Sequence, residues 1–186
     1  MPPEVTLHPV QRPADDDALV DFISAHEYPF HMTTRPTADD VRSRIASGSF
    51  DAPEHAAYWV VADGRRVGVA TLEDLEDDAP LFDLRLANDA RGRGLGVPTL
   101  QALTREVFER FPAVNRFEGQ TREDNIPMRR TFLRAGWVKE AHYRDGWPVA
   151  GGDPVASVAY AILRRDWETG KTTPVPWDDE PGPRGN

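Results

Sequence analysis

Asn88-Asp89-Ala90-Arg91-Gly92-Arg93-Gly94-Leu95-Gly96-Val97-Pro98-Thr99-Leu100 is the stretch on which the reading of this chain turns. Before it, residues 83–87 (Asp-Leu-Arg-Leu-Ala) alternate charged and apolar side chains, as a half-buried strand does. After it, Leu100, Leu103, Val107 and Phe108 recur at helical spacing. A strand, a glycine-rich turn and a helix start together aim unpaired backbone N–H groups at one point, where the helix dipole adds partial positive charge. Gly92, Gly94 and Gly96 carry no Cβ to hold a ligand away, and Arg91 and Arg93 add formal charge, so the turn suits a phosphate. Pro98 falls within the first turn or so, where its missing donor costs little. A plain strand-to-helix turn is the bland alternative. Two other phosphate loops are excluded: Val97 and Thr99 stand where G-x-G-x-x-G needs its third glycine, and G-x-x-x-x-G-K-[ST] occurs nowhere.

Arg91-Gly92-Arg93-Gly94-Leu95-Gly96 reads R-x-x-G-x-G, which resembles the acyl-CoA pyrophosphate loop of the GNAT N-acetyltransferase superfamily. The match runs on through residues 116–121 (Arg-Phe-Glu-Gly-Gln-Thr), Asn125 to Gly136-Trp137, Val138-Lys139-Glu140 and Tyr143-Arg144, a pattern similar to the RimJ/RimL-type branch. The resemblance implies an α/β (α+β) fold, a GNAT-like mixed and mostly antiparallel twisted sheet with helices on both faces. It also implies acetyl-CoA as acyl donor and a primary amine as acceptor, either a small cationic amine or a protein N-terminus. A non-catalytic acyl-CoA-binding or interaction module is the competing class.

Site residues follow from the same resemblance. Arg91, Gly92, Arg93, Gly94, Leu95 and Gly96 would hold the CoA pyrophosphate, the backbone at Leu84 and Leu86 would pair with pantetheine like an added strand, and Arg129 or Arg130 suits the CoA phosphates. Asn125 would bond the cofactor arm, although capping the next helix is an equally physical role. Tyr28, Phe30 and His31 would touch the acceptor, or, for the two aromatics, simply pack. Glu118 is the first candidate for a water-mediated base, with a salt-bridge role as its alternative and with Glu73 and Asp83 in reserve. The chain departs from the family at the leaving-group acid. Where many relatives have tyrosine seven residues after the asparagine, or serine three after it, this chain has Phe132 and Met128, which leaves Tyr143, His142, water or proximity alone.

Composition bounds the remaining possibilities. At 186 residues and 39% hydrophobic content the chain can build one sizeable core, expected over residues 1–167, with a Pro/Gly-rich tail over 168–186 in which Trp177 is a candidate anchor. With no cysteine, neither a disulfide nor a thiolate site can form. His26 and His31 are not at a metal-binding spacing, so no metal is expected. A net charge of −9 argues against nucleic acid, and no apolar run approaches membrane-spanning length. The N-terminus lacks signal-peptide character, which points to the cytoplasm, and a homodimer is compatible with all of this.

In chain order, residues 5–10 form the first strand, and Asp15-Asp16-Asp17 cap a helix carrying Leu19, Phe22 and Ile23. Residues 27–36 make an aromatic loop, and Thr37 opens a second helix that Gly48 ends. Residues 57–62 and 66–72 flank Asp63-Gly64, a hairpin signal. The acidic run 73–78 is a turn that would attract cationic amines if it borders the acceptor mouth. A main helix is expected over 99–111, a strand over 116–121, a helix over 126–135 ended by Gly136, and strands over 138–143 and 154–163.

Overall fold

The computed structural model describes residues 3–51, 53–149 and 151–177; residues 178–186 of the expected tail lie outside the described residues. The elements run β1 (Val5–Pro9), α1 (Asp16–Ser24), α2 (Ala38–Ala46), β2 (Ala56–Ala62), β3 (Arg65–Glu73), β4 (Leu81–Leu86), α3 (Gly96–Arg110), β5 (Arg116–Arg122), α4 (Ile126–Arg134), β6 (Val138–Trp147), β7 (Val155–Leu163) and α5 (Arg164–Thr169). One sheet has the order β1-β2-β3-β4 and the other β5-β7-β6, with every pairing antiparallel. A hydrogen bond from Glu118 N to Pro80 O, 3.0 Å, ties the start of β4 to β5, and the two strands share no ladder beyond it.

The alternation of β2 explains why helices cover both faces. Tyr58, Val60 and Ala62 point into one core with Leu100, Leu103, Val107 and Phe108 of α3, whereas Ala57 and Trp59 point into a second core with Leu19, Val20 and Ile23 of α1 and Val41 of α2. Both faces are apolar because neither meets water. The β2–β3 turn is the expected hairpin: Asp63 (φ 50°) and Gly64 (φ 72°) both adopt the left-handed region that a two-residue turn requires.

Three expectations change. The main helix starts at Gly96 rather than Thr99, since Pro98 costs nothing in a first turn whose N–H groups lack intrahelical partners. Asp15 flanks α1 but makes no side-chain cap; its carboxylate instead accepts from Gln11 N, Trp59 Nε1 and Arg66 Nη2. The backbone bond from Gln11, set against burial and aided by Trp59 and Arg66, holds Asp15 below the usual carboxylate range. At the C-terminal end the boundary after residue 167 falls inside α5, which continues to Thr169 and closes on left-handed Gly170. Asp166 accepts from Thr173 N and Oγ1 at 2.9 and 2.6 Å, and Trp167 packs 5.5 Å from Phe108, so residues up to 173 are tied to the body. Trp177, the candidate anchor, is 50% exposed.

Candidate active site

The loop between β4 and α3 forms as its glycines dictate. Gly92 (φ 74°) and Gly94 (φ 80°) occupy left-handed conformations, and the space where their Cβ atoms would sit is empty. Gly96 has a different reason to be glycine: a Cβ there would lie 2.9 Å from Thr131 Oγ1, so its bareness lets α4 lie against the start of α3. Leu95, buried, precedes α3 without a side-chain cap, and the first turn holds no acidic residue. Its N–H groups are thus left for an anion. Arg91 is exposed and donates to Asn88 Oδ1; Arg93 and Arg130 are exposed and have no ion-pair partner among the described residues. Bare backbone, an uncapped helix start and exposed arginines thus meet in one place.

Beside β4 lies a cavity of about 640 Å³ between the α1–α2 loop, α2, the end of β3, β4 and the β5–α4 junction. Phe30, His31, Glu73 and Leu84 line it; Leu84 and Leu86 both pack against the core, and Leu86 is not on the cavity wall. Asn125 also lines it while capping α4: its Oδ1 accepts from Met128 N at 3.3 Å and its Nδ2 donates to Thr121 Oγ1 at 2.9 Å. The asparagine therefore caps the helix and still presents its amide to the wall. Tyr28 sits behind that wall, edge-on to His31 at 5.5 Å and under the Arg85 guanidinium at 4.8 Å. Burial pushes its hydroxyl up to about 12, which keeps it neutral and makes it packing rather than acid.

The carboxylates divide sharply. Asp83 accepts from His31 Nε2 at 2.9 Å and from Arg85 Nε at 2.8 Å, with Arg44 Nη2 at 3.7 Å. Burial opposes its charge, but the His31 bond and the two guanidinium groups outweigh burial and hold it far below the usual range. Glu73 has no hydrogen-bond or ion-pair partner among the described residues. Burial first, then the charges of Asp83 and Asp74, raise its pKa to about 7 against the pull of Arg44 and Arg85. A carboxyl at that value can take or give a proton near neutrality.

The two catalytic candidates, Glu118 and Tyr143, are not brought to this cavity. Glu118 shares a face of β5 with Arg116, and Arg116 binds both Glu118 and, through Nη1, Glu140 at 2.5 Å. It is the ion-pair member that the alternative reading allowed. Tyr143 lies on β6, 51% exposed and outside the cavity wall. Phe132 is buried in an aromatic stack, parallel to Tyr160 at 4.6 Å and flanked by Phe82 and Trp137, and Gly119 leaves room for it, since a Cβ there would lie 2.7 Å from the Phe132 ring. Met128 lines the cavity and offers no proton. Sequence reasoning missed Arg44, Arg85 and Trp147 on the walls. The alternation in β4 puts Arg85 on the same face as Asp83 and was a usable signal; nothing local announced Arg44 or Trp147.

Solved structures share this architecture. RimL, ribosomal L7/L12 alpha-N-protein acetyltransferase in complex with coenzyme A, superposes with TM-score 0.71 at 17% identity, covering 86% of this chain and 94% of that one. A spermidine N-acetyltransferase SpeG chimera from Vibrio cholerae and hSSAT gives 0.74 at 14%, covering 89% and 98%. AAC(6')-Ib in complex with ribostamycin and coenzyme A gives 0.71 at 19%, covering 92% and 99%. At these identities the likeness establishes the fold. Residues 4–138 match the model of the acetyltransferase (GNAT) domain, which spans the cavity walls up to α4 as well as the glycine loop. The chain therefore belongs to the GNAT acetyltransferase family, enzymes whose acyl donor is acetyl-CoA.

Proposed function

We propose that the protein is an N-acetyltransferase of the RimJ/RimL type that acetylates a primary amine, with Glu73 rather than Glu118 as its base. The observation that carries this reading is Glu73 itself, an unpaired carboxyl with pKa about 7 in the wall of a cavity beside β4. The acceptors named for the similar structures, spermidine and a protein alpha-N group, are both amines and support the class.

Acetyl-CoA, when bound, supplies a thioester whose carbonyl carbon an amine can attack. The glycine loop and the uncapped start of α3 would hold its pyrophosphate, with Arg91, Arg93 and Arg130 as the surrounding charge. Leu84 on β4 and Asn125 would flank the arm that reaches the cavity. Glu73 removes the amine proton, directly or through water. An amine with pKa near 10.4 is neutral about once in a thousand at pH 7.4, a cost of roughly 4 kcal/mol, so a base matters most for such an acceptor. Phe132 and Met128 provide no proton for the departing sulfur. The rest of the rate comes from holding amine and thioester together, worth up to about 7–11 kcal/mol.

Thiol release from acetyl-CoA with a panel of amines tests the reading. Turnover with at least one primary amine, lost in Gly94→Asp together with CoA binding, is the expected result. CoA binding without turnover of any amine would leave the chain a non-catalytic acyl-CoA-binding module.

A further inference from the structure

The cavity wall sets two guanidinium groups, Arg44 and Arg85, among three carboxyl groups, Asp40, Glu73 and Asp83, and pairs them unevenly. Asp83 is the one wall carboxylate bonded to the guanidinium groups, and it serves His31, Arg85 and, more distantly, Arg44. Asp40 has its Oδ2 engaged by Thr37 N and Thr37 Oγ1, both at 2.8 Å. Glu73, at about 7, is neutral in roughly half the molecules at pH 7. Of the three wall carboxyl groups, Asp83 alone is ion-paired to Arg44 and Arg85 among the described residues.

Arg44 is the less compensated of the two. Its side chain is 30% exposed, its one ion-pair contact among the described residues is the 3.7 Å approach to Asp83, and burial lowers its pKa. Its guanidinium also lies 4.8 Å over the Phe50 ring and within the electrostatic reach of Glu73 and Arg85. Arg85 Nη1 and Trp147 Nε1, donors on two cavity-lining residues, are buried without a hydrogen-bond partner among the described residues, as is His31 Nδ1. These donors are closed off from the cavity, which leaves the part-exposed Arg44 as the guanidinium that an incoming oxygen can reach.

We infer that the acceptor is an amine that also carries a carboxylate, as a free amino acid does, with the carboxylate held by Arg44 while the amine faces Glu73. The inference rests on the transferase reading for its amine but not for its anion site. A guanidinium recognises a carboxylate through two parallel bonds, and discrimination against the uncharged carboxamide follows from losing the charge-assisted pair.

The experiment compares free L-amino acids with their carboxamides, with kcat/KM expressed per neutral amine. It also measures calorimetric binding of the N-acetylated acid and the N-acetylated carboxamide to the CoA-loaded protein. We expect the carboxylate form to be preferred by about tenfold or more in both measurements. In Arg44→Gln the ratio should fall toward one, and Arg44→Lys should restore part of it. Equal use and equal binding of acid and carboxamide by the wild-type protein would overturn the inference, as would a preference that survives Arg44→Gln. Preferential binding of the acid with no acetylation of any amine would uphold the anion site and remove the transferase reading instead.

Discussion

Glu73 and Glu118 are both half-buried glutamates on neighbouring parts of the two sheets, yet the structure treats them oppositely. Glu118 has an arginine two residues away on its own face of β5, and that arginine is shared with Glu140. Glu73, at the end of β3, has only distant cations and a nearby like charge on Asp83, and its proton is correspondingly easy to keep. Glu118 is committed to an ion pair, whereas Glu73 carries none among the described residues and is open to a proton-transfer partner.

The largest test of this contrast is kinetic. Glu73→Gln should lower kcat/KM for a high-pKa amine by about 10²-fold or more, whereas Glu118→Gln should change it by no more than about threefold. Steady-state rates on both folded variants decide the matter, and the opposite ranking would restore Glu118 as base.

A second test uses pH. With an acceptor whose own pKa lies below about 6, kcat/KM should rise by about tenfold between pH 6 and 8 as Glu73 loses its proton, and then level off. The rise should persist in Glu118→Gln and vanish in Glu73→Gln. A wild-type profile flat over this range would separate Glu73 from the proton path.

Stability should show the contrast with reversed sign. The folded pKa of Glu73 is raised from 4.5 to about 7, so the folded chain binds more protons between these values. The stability linked to that proton is fully present below 4.5 and is lost as pH rises through 7. Glu73→Gln should therefore be more stable than wild type at pH 8, and the gap should close toward pH 4.5. Glu118→Gln, which removes one arm of a part-exposed pair, should cost at most about 1 kcal/mol at neutral pH. Denaturant titrations at the two pH values measure both.

The smallest effect concerns the exposed acids after Glu73. If Asp74, Glu76, Asp77 and Asp78 steer acceptors, salt should lower capture of a purely cationic amine by about two- to threefold and leave a zwitterionic one nearly unchanged. Comparing kcat/KM at two ionic strengths is sufficient; equal sensitivity would make the run a solvated turn.

Where a short stretch of chain determines its own conformation, the sequence was readable. Asp63-Gly64, Gly136 at φ 87°, and Gly92 and Gly94 each fulfil a local backbone requirement that residue type announces. The Arg116–Glu118 pair was legible too, because alternation puts both side chains on one face of β5. The acceptor cavity was not, since its chemistry comes from chain segments far apart: Arg44 from α2, Glu73 from β3, Asp83 from β4 and Trp147 from the far end of β6. Glu73 stood in the sequence only as a reserve base at the head of an acidic run, and what distinguishes it from Asp77 is burial, a property of the assembled sheet. The end of the domain misled for a related reason: Asp166 holds Thr173 through side-chain bonds that no propensity signals.

Trp147 gives the molecule a built-in optical probe. Of the five tryptophans, Trp59 and Trp137 are sealed in the two cores, Trp167 lines a separate pocket beside α5 and Trp177 faces solvent, so the indole on the acceptor wall is alone in its setting. Its emission should respond to what enters that cavity, so with CoA already bound the difference spectrum between wild type and Trp147→Phe becomes a label-free readout of acceptor occupancy.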